Sequence, residues 1–330
     1  CDGEAVSEIA TILADTIERL LDARLDEGTM HAARAGEWAG ELWHALEEQG
    51  VPLALVPENA GGFGLDPRDA LELIRLLGRH AIPLPLGETM LANATLAEAG
   101  LPLADGAAAL VPMDGAARIA WGRHCRTFVV EAPGGVVRID GGAVVEREGH
   151  NLAGLPRDAM HFPKTNDATP IAGRLIERGA LVRALQCAGA LERLLELTVT
   201  HVSERVQFGR PLAKFQAIQQ ELAKLAGEVA AASAAADLAA DAFVDDPAKA
   251  RFAIAVARVR IGEAVGRANG IAHQLHGAIG FTAEHRLHLF TTSLWAWRGE
   301  FGGAVYWAGQ LGDRALSAGR DGYWPMVTAA

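Results

Sequence analysis

Cysteine is scarce in this chain. Three occur in 330 residues (Cys1, Cys125 and Cys187), far apart and without a Cys-x-x-Cys pair. They cannot build a disulfide framework, and such usage suits a reducing cytoplasm. Positive charge is also in deficit: 30 Lys+Arg stand against 41 Asp+Glu, for a net charge of −11. A field of that sign repels phosphate polymers, so nucleic acid is not an expected partner. No stretch of about twenty uncharged apolar residues is present, so no helical membrane span is expected. No basic segment followed by an apolar one opens the chain, so no secretion signal is read in it. Three common motifs are missing as well: Gly-x-Gly-x-x-Gly at a strand-to-helix turn, a phosphate loop ending in Gly-Lys-Ser/Thr, and Gly-x-Ser-x-Gly. Their absence sets aside Rossmann dehydrogenases, P-loop enzymes and α/β-hydrolases.

What is there reads as an ordinary globular protein, half apolar and 22% charged, long enough for two or three compact units. Residues 1–107 carry helical periodicity. Ile9, Ile12, Leu13, Ile17, Leu20 and Leu21 repeat at three and four, and so do Trp38, Leu42 and Leu46. Asp66-Pro67 reads as an N-cap followed by proline in the first helical position, leading Leu71, Ile74 and Leu77. Over 108–172 the texture changes to short β-branched runs, Phe128–Val130, Val136–Ile139 and Ala143–Val145. Pro133-Gly134-Gly135 and Gly141-Gly142 separate them with hairpin turn chemistry, which predicts a small antiparallel sheet. Over 173–330 long helices return. Leu181, Leu185, Leu191, Leu194, Leu195, Thr198 and Val202 mark one. Phe215, Ile218, Leu222, Leu225 and Val229 mark a second, and Asp246-Pro247 is read as starting a third that runs to about His276. The alanine-rich run 230–236 is expected to let long helices approach closely. The fold class is therefore mainly α with a small β insert: an N-terminal helical domain, a reduced β domain and a C-terminal helical bundle.

Two groups of residues stand out as chemistry. His273 with His276, and His285 with His288, are spaced three apart. No carboxylate or cysteine joins them in register, and they are not expected to converge, so no metal is assigned. Glu204–Gln216 joins two long helices through Gly209 and Pro211 and presents Arg205, Gln207 and Phe208 in one short stretch. That combination can serve a diphosphate and a stacked ring. It can equally be a solvated arginine and a core phenylalanine.

Glu204–Gln216 resembles the Arg-x-x-Phe-Gly-x-x-(Ile/Leu)-x-x-(Phe/His)-Gln signature of the acyl-CoA dehydrogenase family. Gln274-Leu-His-Gly-Ala-Ile-Gly-Phe-Thr-Ala-Glu284 is similar to that family's Gln-x-x-Gly-Gly-x-Gly-(Phe/Tyr) segment, and Pro57-Glu-Asn-Ala-Gly-Gly-Phe-Gly64 to its Pro-Glu-x-x-Gly-Gly-x-Gly turn. The three motifs occur in family order across most of the chain. The resemblance implies a helical–β–helical fold, FAD as cofactor, and α,β-dehydrogenation of an acyl-CoA thioester. It further implies a flavin lying between subunits, with the neighbour clamping its nucleotide end. Carried over, Arg205 would pair with the pyrophosphate, Gln207 and Phe208 would line the same site, and Phe215, Gln216 and Ile218 would border it. Gln274 and Gly277 would bring backbone close to the cofactor, with Ala278 in place of the family's second glycine.

The chain also departs from the family pattern. The family's Thr-Glu-Pro-x-x-Gly-Ser-Asp loop has no match in Ala109–Gly115, and Trp121-Gly-Arg-His124 is not its Trp-Ile-Thr/Ser strand. Counting from Gly280, the Tyr-Glu-Gly element that carries the base falls on Glu300-Phe301-Gly302, with phenylalanine where the glutamate belongs. Glu300 is the candidate base, set against a surface glutamate capping a helix end; the family's other base position falls near Gly179, with Glu177 two residues away. The implied reading is a subunit that completes the FAD site of a homologous catalytic subunit in a heterotetramer, on a bulky or steroid-type acyl-CoA. The alternatives are a self-sufficient homo-oligomer using Glu300 and a non-catalytic helical scaffold. Cytoplasmic location is the expectation for each.

Overall fold

A computed structural model gives the fold, and residues 8–112, 118–141, 143–163, 167–282 and 284–328 are described. The chain divides into two compact units: residues 1–77 with 82–182, and residues 78–81 with 183–330.

The first unit begins with α1 (Glu8–Arg24), α2 (Glu27–Arg34) and α3 (Gly40–Glu48), followed by α4 (Pro67–Arg79) and α5 (Leu86–Glu98). The expected periodicity places the core: Ile17, Leu21, Leu46, Leu71, Ile74 and Leu77 are fully buried, whereas Ile12 faces solvent. Asp66 does cap α4, its carboxylate accepting from the Arg68 N–H at 2.8 Å. The Pro57–Gly64 turn needs its glycines. Gly61 and Gly64 have φ of 96° and 65°, and a Cβ on Gly62 would lie 1.7 Å from the Val56 carbonyl oxygen. Buried Asn93 ties the unit together, its Nδ2 donating to the Pro52 carbonyl at 3.1 Å and its Oδ1 accepting from the Ala104 N–H at 2.9 Å.

The β region differs from the single antiparallel sheet expected of it. Strands β1 (Ala108–Val111), β2 (Arg118–Ala120), β3 (Thr127–Ala132), β4 (Gly135–Ile139), β5 (Val144–Arg147) and β6 (Arg157–His161) form two three-stranded sheets, ordered β1-β3-β4 and β2-β6-β5. The pair β1–β3 is parallel. Between these two strands the chain leaves to form β2 and a tight turn through Trp121–Cys125, and that excursion is the crossover a parallel pair requires. The turn is nucleated by Trp121 in the left-handed region (φ 56°). Its indole is buried.

The helix α6 (Leu175–Glu204) runs from the first unit into the second at Val182–Arg183. Leu181, Leu185, Leu191, Leu194, Thr198 and Val202 are all fully buried, as the spacing predicts. Glu177, at the family's second base position, caps the start of this helix instead, its carboxylate accepting from the Arg174 N–H at 3.1 Å. A two-residue hairpin follows, β7 (Val206–Gln207) and β8 (Arg210–Pro211), and then α7 (Gln216–Asp245), α8 (Arg251–His276), α9 (Leu287–Trp297) and α10 (Ala304–Thr328). α8 starts at Arg251 rather than at Asp246-Pro247. The Asp246 carboxylate accepts from the Ala248 N–H at 3.0 Å and spends residues 247–250 on a turn. Ala232, Ala236 and Ala239 are completely buried, which is what the alanine-rich run is for. Charge supports the same contact: Glu228 on α7 pairs with both Arg260 and Arg267 on α8. No described helix is long and apolar enough to cross a membrane.

Candidate functional site

The hairpin after α6 carries the first group of sequence-predicted residues. Phe208 and Gly209 sit at its tip with φ of 49° and 79°, the twist a two-residue hairpin demands. Glycine adopts that conformation freely, but for phenylalanine it is strained. Phe208 is 89% exposed, so it is not a core residue. Its ring meets Phe215 edge-on at 6.1 Å, and Phe215 carries the Arg210 guanidinium 4.2 Å above its face. Arg205 leaves α6 with its N–H bonded to the His201 carbonyl at 2.9 Å, and its carbonyl accepts from Leu212 at 2.9 Å. The backbone here is fixed at both ends while the Arg205 side chain is exposed. Among the described residues it has no carboxylate partner. Gln207 and Gln216 are also exposed, and Ile218 is half-buried. Phe215 is the N-cap of α7 and offers no capping side chain. The first N–H groups of that helix therefore face outward beside the hairpin, a favourable place for an anion.

The second group lies at the far end of α8. Gln274 is exposed. Gly277 has φ 64°, and a Cβ built on it would meet nothing within 4 Å, so open space borders that backbone. Ala278 is exposed, and its methyl crowds nothing of the chain's own. Phe281 is 74% exposed and stacks on His273 at 4.4 Å. Two rings join the groups: His201, one turn before Arg205, stacks on His276, the neighbour of Gly277, with centroids 4.4 Å apart. Arg205, Gln207, Phe208, Phe215, Gln216, Ile218, Gln274 and Gly277 thus gather at one end of the second unit.

Glu300 is elsewhere, and it is not a surface cap. It is 2% exposed, and the 3% exposed Arg183 donates to it from Nε at 2.7 Å and Nη2 at 2.6 Å. Arg183 Nη1 is held in turn by Gln186 at 2.5 Å. Phe301, where counting places the family base, has φ 53°, with the Arg183 guanidinium 5.7 Å from its ring centre. A second buried arginine fixes the loop: Arg258 Nη2 donates to the carbonyls of Trp297, Arg298, Glu300 and Gly302 at 2.8–3.2 Å. Burial pulls its guanidinium down to about 10. The Trp307 indole N–H closes the turn on the Phe301 carbonyl at 3.1 Å. Neither arginine stands out in the sequence, because each lies on an otherwise apolar helix face.

Histidine pairs were expected to remain apart. One from each pair converges instead: His276 and His285 meet His201, with ring nitrogens within 4.8 Å of one another. The signal was hidden because the third member is 75 residues away from its nearest partner in sequence. His273 and His288 point elsewhere, His273 to the Thr291 hydroxyl at 3.2 Å and His288 back to the His285 carbonyl at 2.8 Å. The expected flavin loop at Ala109–Gly115 lies partly outside the described residues. Trp121–His124 forms the buried turn described above.

Fold and motifs place the chain in a class of helical flavoenzyme scaffolds, and comparison identifies which one. The family model for the acyl-CoA dehydrogenase N-terminal domain matches residues 7–102, and that for the C-terminal domain matches residues 169–297. The chain belongs to the acyl-CoA dehydrogenase family. It is 32% identical to acyl-CoA dehydrogenase IpdE2 of Mycobacterium tuberculosis, over 84% of this chain and 88% of that protein. Among solved structures, the ChsE4–ChsE5 complex of M. tuberculosis superimposes with a TM-score of 0.81 at 22% identity, covering 94% of this chain and 98% of the other. The Tcur3481–Tcur3483 steroid ACAD does so with a TM-score of 0.80 at 24% identity, over 94% and 99%.

Proposed function

We propose that this chain is the nucleotide-gripping subunit of an FAD-dependent acyl-CoA dehydrogenase, completing the cofactor site of a homologous catalytic subunit. The observation that carries the reading is the hairpin. It holds a strained, exposed Phe208 and an unengaged Arg205 next to the open backbone of Gly277, all directed away from the chain's own core.

These residues fit the adenosine diphosphate half of FAD. Arg205 would pair with the pyrophosphate by charge-assisted hydrogen bonds, supported by the uncapped start of α7. Phe208 would offer a ring face, Gln207, Gln216 and Gln274 would supply amide contacts, and Phe215 and Ile218 would form the apolar border. When bound, the flavin accepts the hydride that leaves the β-carbon of the thioester. The α-proton needs a base within hydrogen-bond reach, and this chain does not offer one: Phe301 has no proton-accepting group, and Glu300 is occupied by Arg183. The base and the ring-binding loop then belong to the partner, and a heterotetramer of two unlike subunits is the assembly. The substrate class is a bulky, steroid-type acyl-CoA, a reading supported by the likeness to the steroid ACAD and by the reduced β region.

Visible absorption tests this. Purified alone, the chain should carry little flavin, and co-expressed with a homologous subunit it should give a yellow, active complex. In that complex Arg205→Ala should lower flavin retention about tenfold, the scale of one charge-assisted contact. A yellow, fully active homomer sinks the proposal.

A further inference from the structure

Three imidazoles from three separate elements meet in the second unit: His201 on the last turn of α6, His276 at the end of α8, and His285 in the loop before α9. Their ring nitrogens lie within 4.8 Å of one another. Nothing in the flavin reading uses them. His276 is 5% exposed. Its Nδ1 lies 2.8 Å from the Ala272 carbonyl, and a carbonyl only accepts, so the ring's proton is on Nδ1. That leaves Nε2 as a bare lone pair, buried and without a hydrogen-bond partner. Such an atom calls for a donor or a cation. A backbone carbonyl holding the far nitrogen of a ring is also how metal-binding histidines are fixed in tautomer and orientation.

We propose that His201, His276 and His285 bind one divalent transition-metal ion of the zinc, cobalt and nickel class, with a fourth coordination position open. Three neutral nitrogens with no oxygen or sulfur select borderline metals over magnesium or calcium. The rings are kept neutral near pH 7. Burial pushes His276 down to about 4. His201 is lowered by burial, then by His285 and Arg205, and His285 by burial and then by His288. Glu204 and Arg205 flank His201 with opposite charges, so the local field is nearly balanced.

Coordination needs modest adjustment. Metal–nitrogen bonds of about 2.0 Å put tetrahedral ligand nitrogens about 3.3 Å apart, so the cluster closes by about 1.5 Å. His201 and His285 are only half-buried and free to turn. In the metal-free fold the Leu287 N–H donates to His285 Nδ1 at 3.1 Å, which places that ring's proton on Nε2. Binding through Nε2 moves this proton to Nδ1 and releases the Leu287 contact, with no net proton lost. The ion would tie the end of α6 to the end of α8, between Arg205 and Gly277.

The purified, chelator-treated full chain should be titrated with Co2+, followed by its visible d–d absorption, and then competed with Zn2+. One equivalent per chain should bind, Zn2+ should displace it, and the melting temperature should rise by several degrees. His201→Phe and His285→Phe should each weaken binding at least tenfold, with circular dichroism confirming the fold, and His276→Phe should do the same. His273→Gln and His288→Gln should stay within twofold of the parent. No spectral change with Co2+, binding that survives H201F and H285F, or equal loss in H273Q and H288Q would each overturn the site. The outcome is independent of flavin retention, since the titration uses the chain alone.

Discussion

Two opposing forces act on the carboxyl of Asp158, which is wholly buried. Burial favours its neutral form. Arg123, donating from its backbone N–H at 2.9 Å and its guanidinium at 2.5 Å, and the Gly149 N–H at 3.1 Å favour the charged one. The partners win, and the group sits below the usual aspartate range. In the unfolded chain it titrates near 3.9. Its contribution is therefore complete above that value and is lost as pH falls through the lower folded pKa. Asp158→Asn should flatten the acid limb of a stability–pH curve and cost about 3 kcal/mol at pH 7, the scale of breaking a buried pair. Urea melts at pH 3 and 7 would measure both. Glu300→Gln should cost a similar amount, about 3 kcal/mol, because Arg183 is left charged and buried. Turnover of the folded heteromer should change little. A variant as stable as the parent but catalytically dead would identify Glu300 as the base after all. None of these pairings is written in local sequence: Arg123 and Asp158 are 35 residues apart, and Arg183 and Glu300 are 117 apart.

At the scale of elements, the hairpin β7–β8 holds a phenylalanine where glycine or asparagine would be relaxed. Phe208→Gly should leave stability unchanged or raise it by up to about 1 kcal/mol, since the left-handed conformation costs glycine nothing. The same change should lower flavin retention by the complex. Thermal melts and absorbance at matched protein concentration would separate the two effects. Long helices were the most legible part of the chain, because Leu181 through Val202 repeat faithfully on one face of α6. The hairpin motif was legible too, as Phe-Gly between two extended residues. Strand pairing was not. The alternation in Phe128–Val130 and Val136–Ile139 marks extended chain and one hairpin. It carries no information on which strand lies on the other side of β3, and the answer was the parallel β1. The start of α8 was misread because Asp-Pro is equally good chemistry for a turn.

Across the whole molecule, the legible and illegible parts divide by locality. Motifs contained within a dozen residues, Glu204–Gln216 and Gln274–Glu284, identified the family that the comparisons then established. Features assembled from distant segments were invisible until the fold joined them: the Arg183–Glu300 pair, the Arg258 clamp and the three-histidine cluster. The subunit division follows the same logic. What the chain keeps is exposed and directed outward, while the position that would serve its own chemistry is filled by hydrocarbon at Phe301. An asymmetric complex with one working centre for each pair of subunits is the expected stoichiometry, readable as flavin per mass of purified heteromer.

The corner around Phe301 has one more implication. Arg258 gathers four carbonyls there, Gly302 keeps a left-handed φ of 87°, and Trp307 is latched across the bend. That framework has outlived the carboxylate the family relies on. The ancestral trade was surrendered at the tip of one residue, not in the architecture beneath it, and the loop now survives as a keystone for the helix that follows.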